Sequence, residues 1–277
     1  MPQGCPVRWG QPQEAIDRRR CATGRVLAKH GLSVSRYHDE VRFAMVGLWD
    51  TVETLGWTNG RDDIDDVNWR YADQICNMDR VAHAASLHDN RAGPYTPILM
   101  TRRRIVDDCD HPDRVLFKRV NEVWFAGDHG QIGGTEPLGY LSGVSLNWML
   151  DQVRQVRVNG PIFPKHAAVH EDRLDVVKDA ERQRLGFRVL FDRQMRGIRC
   201  YFKPGNDRLW QNGSAVSRIK LHVSVKERLA ADVRQVRRDR TGEPLKALSI
   251  EGQEAQVARI KASDAACNPV KLVYVGG

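Results

Sequence analysis

The chain has 277 residues, of which 41% are hydrophobic and 28% charged, a composition that suits a folded, water-soluble protein and excludes a disordered tail or a fibre. The formal net charge is +8, from 33 Arg and 10 Lys spread along the whole chain rather than gathered into a stripe, which argues against a nucleic-acid partner. The six cysteines stand far apart with no C-x-x-C pair, which excludes a zinc ribbon or a dithiol redox motif and predicts reduced, structural thiols.

Residues 1–24 are polar and Arg-rich, punctuated by Gly4, Pro6, Gly10 and Pro12, and contain neither an apolar signal-peptide core nor an obvious first strand. Thr23 to Leu32 reads as a short helix closed by Gly31. Val41 to Leu48 is a compact apolar run that predicts a strand buried on both faces, ending at Trp49, Asp50 and Thr51. After an acidic loop at 61–66, the apolar spacing of Ile75, Met78 and Val81 predicts a helix over Asn68 to Ser86, stopped by Gly93 and Pro94. Residues 101–114 are charged and read as solvated. Val120 to Gly127 predicts the next strand, followed by Asp128, His129 and the glycines Gly130, Gly133 and Gly134. Leu138 to Val153 then has the period of a buried helix. Strand, loop and helix in alternation imply an α/β fold built on a parallel sheet.

Beyond Val158, Pro161 and Pro164 interrupt the chain, and a mixed α/β segment follows that includes the apolar runs Arg188 to Phe191 and Lys271 to Val275. A boundary at residue 158 divides the chain into a catalytic part, 1–158, and a C-terminal extension or cap, 159–277. The longest uncharged stretch of note, Pro137 to Leu150, is well short of the roughly 20 apolar residues that span a bilayer. Any membrane contact is expected to be peripheral at most.

In a parallel sheet, ligands and catalytic groups collect where strands end at their carboxyl termini. Asp50 follows the strand ending at Leu48, and His129 follows the strand ending at Gly127. An acid and then a histidine in chain order suits a hydrolase triad, with the carboxylate fixing the imidazole tautomer and the imidazole moving the nucleophile's proton. Two acidic groups, Asp62, Asp63, Asp65 and Asp66 and then Asp107, Asp108, Asp110 and His111, lack the order of a calcium loop and read as solvated turns, so no metal and no cofactor is expected. Lys226 to Arg240 is basic but carries interspersed acids and little apolar face, and reads as a solvated helix.

Four blocks carry a family resemblance. Leu48 to Gly56 (LWDTVETLG), His83 to Arg91 (HAASLHDNR), Val123 to Gly134 (VWFAGDHGQIGG) and Leu221 to Arg228 (LHVSVKER) resemble, in order, four segments of the type VI secretion phospholipase effector family, whose catalytic domain is a lipase of the α/β-hydrolase type. The resemblance implies a partial α/β-hydrolase-like parallel sheet flanked by helices, carboxylic ester hydrolysis of lipids, Asp50 as the triad acid and His129 as the triad base. It further implies a phospholipid or lipid ester substrate, a secretion-apparatus or immunity protein as partner, residence in the cytoplasm of the producing bacterium, and delivery to a target cell.

The departures shape the expectation of activity. The family's F-D-G-T strand end and its G-F-S-R-G-A nucleophile motif do not occur in this chain. Counting back from the helix at Thr23, the serine position falls on Arg18. Ser33 and Ser35 lack the second glycine of G-x-S-x-G and leave no room for the helix that follows a nucleophile elbow. Cys21 precedes a helix but reads as an unreactive thiol. Gln131 stands where the family has an acid. The chain is therefore expected to begin late relative to the family, to be inactive alone, and to serve otherwise as an interaction module or to be a gene fragment. Its strand at Val41, missing a neighbour, is expected to favour poor solubility or oligomerisation.

Overall fold

The computed structural model describes residues 43–52, 78–89, 120–135, 140–156, 168–179, 210–211, 214–215, 218–231, 247–261 and 271–276. Five strands form one parallel sheet: β1 (Val46–Trp49), β2 (Val81–Ser86), β3 (Val120–Phe125), β6 (Arg218–His222) and β7 (Lys271–Val275), hydrogen-bonded in the order β1-β2-β3-β6-β7. A small antiparallel pair, β4 (Trp210–Gln211) and β5 (Ser214–Ala215), lies outside it. The helices are α1 (His129–Gly133), α2 (Leu141–Arg154), α3 (Val223–Ala230) and α4 (Ile250–Lys261). This is the α/β architecture that the alternating pattern implied.

Side chains alternate across the sheet with period 2, and each face has its own core. Ala82, Ala84, Val123 and Phe125 face Ile132 of α1 and Val144, Trp148 and Met149 of α2. Ala85, Leu87, Trp124, Ala126, Ile219 and Leu221 face Val225 of α3 and Val257 of α4. Burying β2 and β3 on both sides explains why neither reads as apolar-polar alternation.

Two elements differ from the sequence expectation. The helix expected over Asn68 to Ser86 is not what its described end adopts: Val81–Ser86 is strand β2, and Met78 bridges Phe43 just before it. Alanine at 82, 84 and 85 favours helix locally, but all six residues of the strand are buried, which leaves no polar face for a surface helix. Placement between two parallel neighbours overrides the local preference. The strand expected over Val41 to Leu48 is shorter, Val46–Trp49, and only partly covered, because β1 is the outermost strand of the sheet among the described residues. The sheet also runs through both sides of residue 158, since β6 and β7 come from the segment read as an extension. The expected helices at Thr23 and over the far part of 226–240, the run at 188–191, both acidic groups and all six cysteines lie outside the described residues. Among the described residues, no helix is long and apolar enough to cross a membrane.

Gly143 shows how closely α2 is docked. A Cβ there would run into the carbonyl oxygen of His170 and lie 3.0 Å from Glu171 Cα. Because the obstacle is backbone, a Gly143→Ala substitution is expected to displace residues 168–172 from α2 and to cost about 2 kcal/mol or more, read from urea unfolding of both proteins.

Candidate active site

The carboxyl ends of β1, β2, β3 and β6 lie side by side, and each delivers a polar group. Asp50 follows β1, Ser86 to Asp89 close and follow β2, His129 follows β3, and His222 closes β6. Asp50 is fully buried and has φ 40°, a left-handed conformation that Asp tolerates better than most residues. Its N–H donates to Ala84 O at 2.7 Å, which extends the β1–β2 ladder through the turn. That turn aims the carboxylate at the next two strands. Oδ1 accepts the Ser86 backbone N–H at 2.7 Å, and Oδ2 lies 2.8 Å from His129 Nδ1.

This geometry defines the histidine's tautomer. A carboxylate facing Nδ1 holds the proton there, which leaves Nε2 as the acceptor on the opposite side of the ring. The His129 side chain is 32% exposed whereas that of Asp50 is 0% exposed. The buried acid thus orients a ring that is itself partly exposed. The two residues singled out from the sequence are brought together.

The turn before His129 is held by bonds from the β2 end. Ser86 Oγ donates to Gly127 O at 2.7 Å and the His88 N–H to the same oxygen at 3.1 Å, while Gly127 N–H donates to His88 Nδ1 at 3.3 Å. Gly127 has φ 131°, a conformation that L side chains rarely adopt, so the glycine is required by the backbone. Asp128 then caps α1: its Oδ1 accepts from Gln131 N at 2.8 Å, and Gln131 Oε1 accepts from Asp128 N at 3.2 Å.

Gln131, a departure from the family pattern, has a structural use. Its Nε2 donates to Val176 O at 2.7 Å while its Oε1 also accepts Lys178 N–H at 3.0 Å. An ionised carboxylate could accept but not donate, so it could not make both bonds.

Two further histidines at this end of the sheet behave differently. Burial, with Arg228 nearby, pushes the His88 imidazole down to about 3, and the acceptor role of its Nδ1 toward Gly127 suits the neutral form. Burial likewise pushes His222 down to about 4, with Arg173 adding to the shift and Glu171 opposing it. His222 stacks on Phe125 with ring centroids 4.7 Å apart, and its Nδ1 accepts from Ser224 N at 3.3 Å and meets Ser224 Oγ at 2.8 Å. A serine beside a histidine invites comparison with a nucleophile, but His222 and Ser224 are 4% and 1% exposed and their contact caps α3. It is a helix cap. Among the described residues, no group of three or more His, Cys, Asp or Glu is placed to hold a metal ion.

Sequence reasoning missed Ser86, His88 and Asp89, although they lie in one of the blocks that carry the resemblance. Reading 68–86 as a helix hid the signal, which is a run of polar residues directly after a buried strand.

Fold and site together define an α/β protein with a buried acid and a partly exposed histidine joined at the carboxyl ends of a parallel sheet. A family model described as the type VI secretion system (T6SS) phospholipase effector Tle1-like catalytic domain matches residues 10–152, just over half of the chain, and the chain belongs to that family. The match spans β1, β2, β3, α1 and nearly all of α2, including Asp50 and His129. No curated protein and no solved structure matches the chain.

Proposed function

We propose that this chain carries the acid and base of a lipase-type serine hydrolase acting on carboxylic esters of phospholipids, with Asp50 as the orienting acid and His129 as the general base and acid. The observation that carries this reading is the 2.8 Å contact between His129 Nδ1 and Asp50 Oδ2 at the carboxyl ends of β3 and β1. In such a centre, His129 Nε2 takes the proton of a serine hydroxyl as its oxygen attacks the ester carbonyl. The imidazolium, held by Asp50, returns that proton to the departing alcohol. A water molecule then repeats the exchange to release the fatty acid.

The nucleophile decides whether this chain completes the cycle. By resemblance that position falls on Arg18, and a guanidinium stays protonated and cannot attack a carbonyl. Loss of the nucleophile from a hydrolase of this kind costs on the order of a millionfold in kcat. The chain is thus a lipase-family protein without turnover of its own, which favours an interaction role, with residues 1–158 holding the site. Its lipid contact is peripheral, it takes no cofactor, and the type VI secretion label of its family supports delivery to a target cell.

A fluorophosphonate probe and a phospholipid hydrolysis assay on the 277-residue chain test this. The expected result is no stoichiometric serine labelling and no release of fatty acid above background. Stoichiometric labelling of a serine together with turnover would overturn the inactive reading and identify the nucleophile by its labelled peptide.

A further inference from the structure

We propose that Asp89 is the positioning residue for His129: a second buried carboxylate that fixes the backbone of the histidine while Asp50 fixes its ring. The proposal rests on the reading of Asp50 and His129 as an acid–base pair.

His129 is the first residue of α1, and the first backbone N–H groups of a helix have no partner inside it. The capping residue, Asp128, directs its Oδ1 to Gln131 N and so leaves the His129 amide to another acceptor. Asp89 supplies it from a different strand: its Oδ2 accepts the His129 N–H at 3.0 Å. Asp89 is fully buried, so the bond is shielded from water.

The shortness of α1 makes this anchor matter. A helix of five residues lies far below the length at which a helix holds itself together in water. The direction in which it presents His129 is therefore set from outside. Ser86 and His88 fix Gly127, two residues earlier, and Gln131 fixes the far side through Val176 and Lys178. Asp89 acts on the residue that bears the imidazole. With the amide held at one end and Nδ1 at the other, both the main chain and the ring of His129 are constrained. A displacement of about 1 Å in such a group is enough to lose about a hundredfold in rate where a reaction depends on it.

The test reads the Asp50–His129 hydrogen bond directly, as the strongly downfield proton resonance of His129 Nδ1–H in the full chain, assigned by its loss in His129→Gln. That resonance is expected in the wild type, to disappear or broaden in Asp89→Ala, and to persist in Asp89→Asn, whose amide oxygen can still accept the His129 N–H. A sharp, unshifted resonance in folded Asp89→Ala would overturn the proposal, as would its loss in folded Asp89→Asn. Should Asp89→Ala not fold, amide exchange of the wild-type protein decides: slow exchange at His129 N–H supports the anchor, and exchange at the rate of a solvent-exposed amide overturns it. Absence of the resonance from folded wild type would instead sink the acid–base pair, so the two failures are distinguishable.

Discussion

Moving the protein from pH 7 to pH 5 is expected to remove roughly 3–4 kcal/mol of folding stability, a large share of the 5–15 kcal/mol typical of a domain. The cause is the pair of histidines buried neutral at the carboxyl ends of the strands. In the unfolded chain each takes up a proton as pH falls through 6.5, while in the folded protein burial holds His88 down to about 3 and His222 to about 4. Between those values the unfolded state binds more protons, so stability is complete above about 6.5 and falls with acidity by about 1.4 kcal/mol per pH unit for each ring. The loss levels off near pH 4 for His222 and near pH 3 for His88. Geometry gives the same sign, because protonation would turn the Nδ1 acceptors facing Gly127 N–H and Ser224 N–H into donors. The charged groups around them, Arg228 at His88 and Arg173 with Glu171 at His222, leave burial as the larger influence. Urea unfolding at pH 7, 6 and 5 measures the effect, and His88→Gln is expected to reduce the pH slope by about half. Equal stability at pH 7 and pH 5 would contradict it. Since His88 braces the turn before His129, acid should loosen the presentation of that residue before the whole sheet melts.

The sequence made the two ends of the site visible and hid the middle. Asp50 and His129 could be found because each follows an apolar run that reads as a strand without long-range information. β2 could not be found that way. Its Val-Ala-His-Ala-Ala-Ser sequence has the local preference of a helix, and only pairing with β1 and β3 makes it a strand. Everything attached to its end, the Ser86 bond to Asp50, the His88 brace and the Asp89 anchor, was lost with it. A different failure concerns Gln131, where comparison with a motif registered only a missing charge. Its use depends on Val176 and Lys178, more than forty residues away in sequence, which no local pattern relates to it. The addition of β6 and β7 to the sheet was hidden for the same reason: Pro161 and Pro164 mark a local change of character, whereas membership of a sheet is decided by pairing across the chain.

Asp50→Ala is expected to destabilise the protein by about 3 kcal/mol, and Asp50→Asn by much less, while both disable the histidine in different ways. Alanine loses on two counts. It must occupy the left-handed φ of 40° at a cost of about 1–2 kcal/mol, where Asp and Asn fare better. It also leaves the Ser86 N–H without its buried acceptor, a penalty of about 1–3 kcal/mol. Asparagine keeps both features, because its Oδ1 can still accept from Ser86 N–H in the same backbone conformation. Its Nδ2, however, then faces His129 Nδ1. Two donors cannot share that 2.8 Å contact, so the ring must accept at Nδ1 and carry its proton on Nε2. A histidine in that tautomer cannot take a proton at Nε2. In the serine-protease template the equivalent exchange lowers kcat by about ten-thousandfold for the same reason. Nitrogen-15 chemical shifts of the His129 ring report the change without requiring turnover: the protonated nitrogen should move from Nδ1 in the wild type to Nε2 in Asp50→Asn. A ring that keeps its proton on Nδ1 in the asparagine variant would show that Asp50 does not set the tautomer, and the acid–base reading of this site would fail with it.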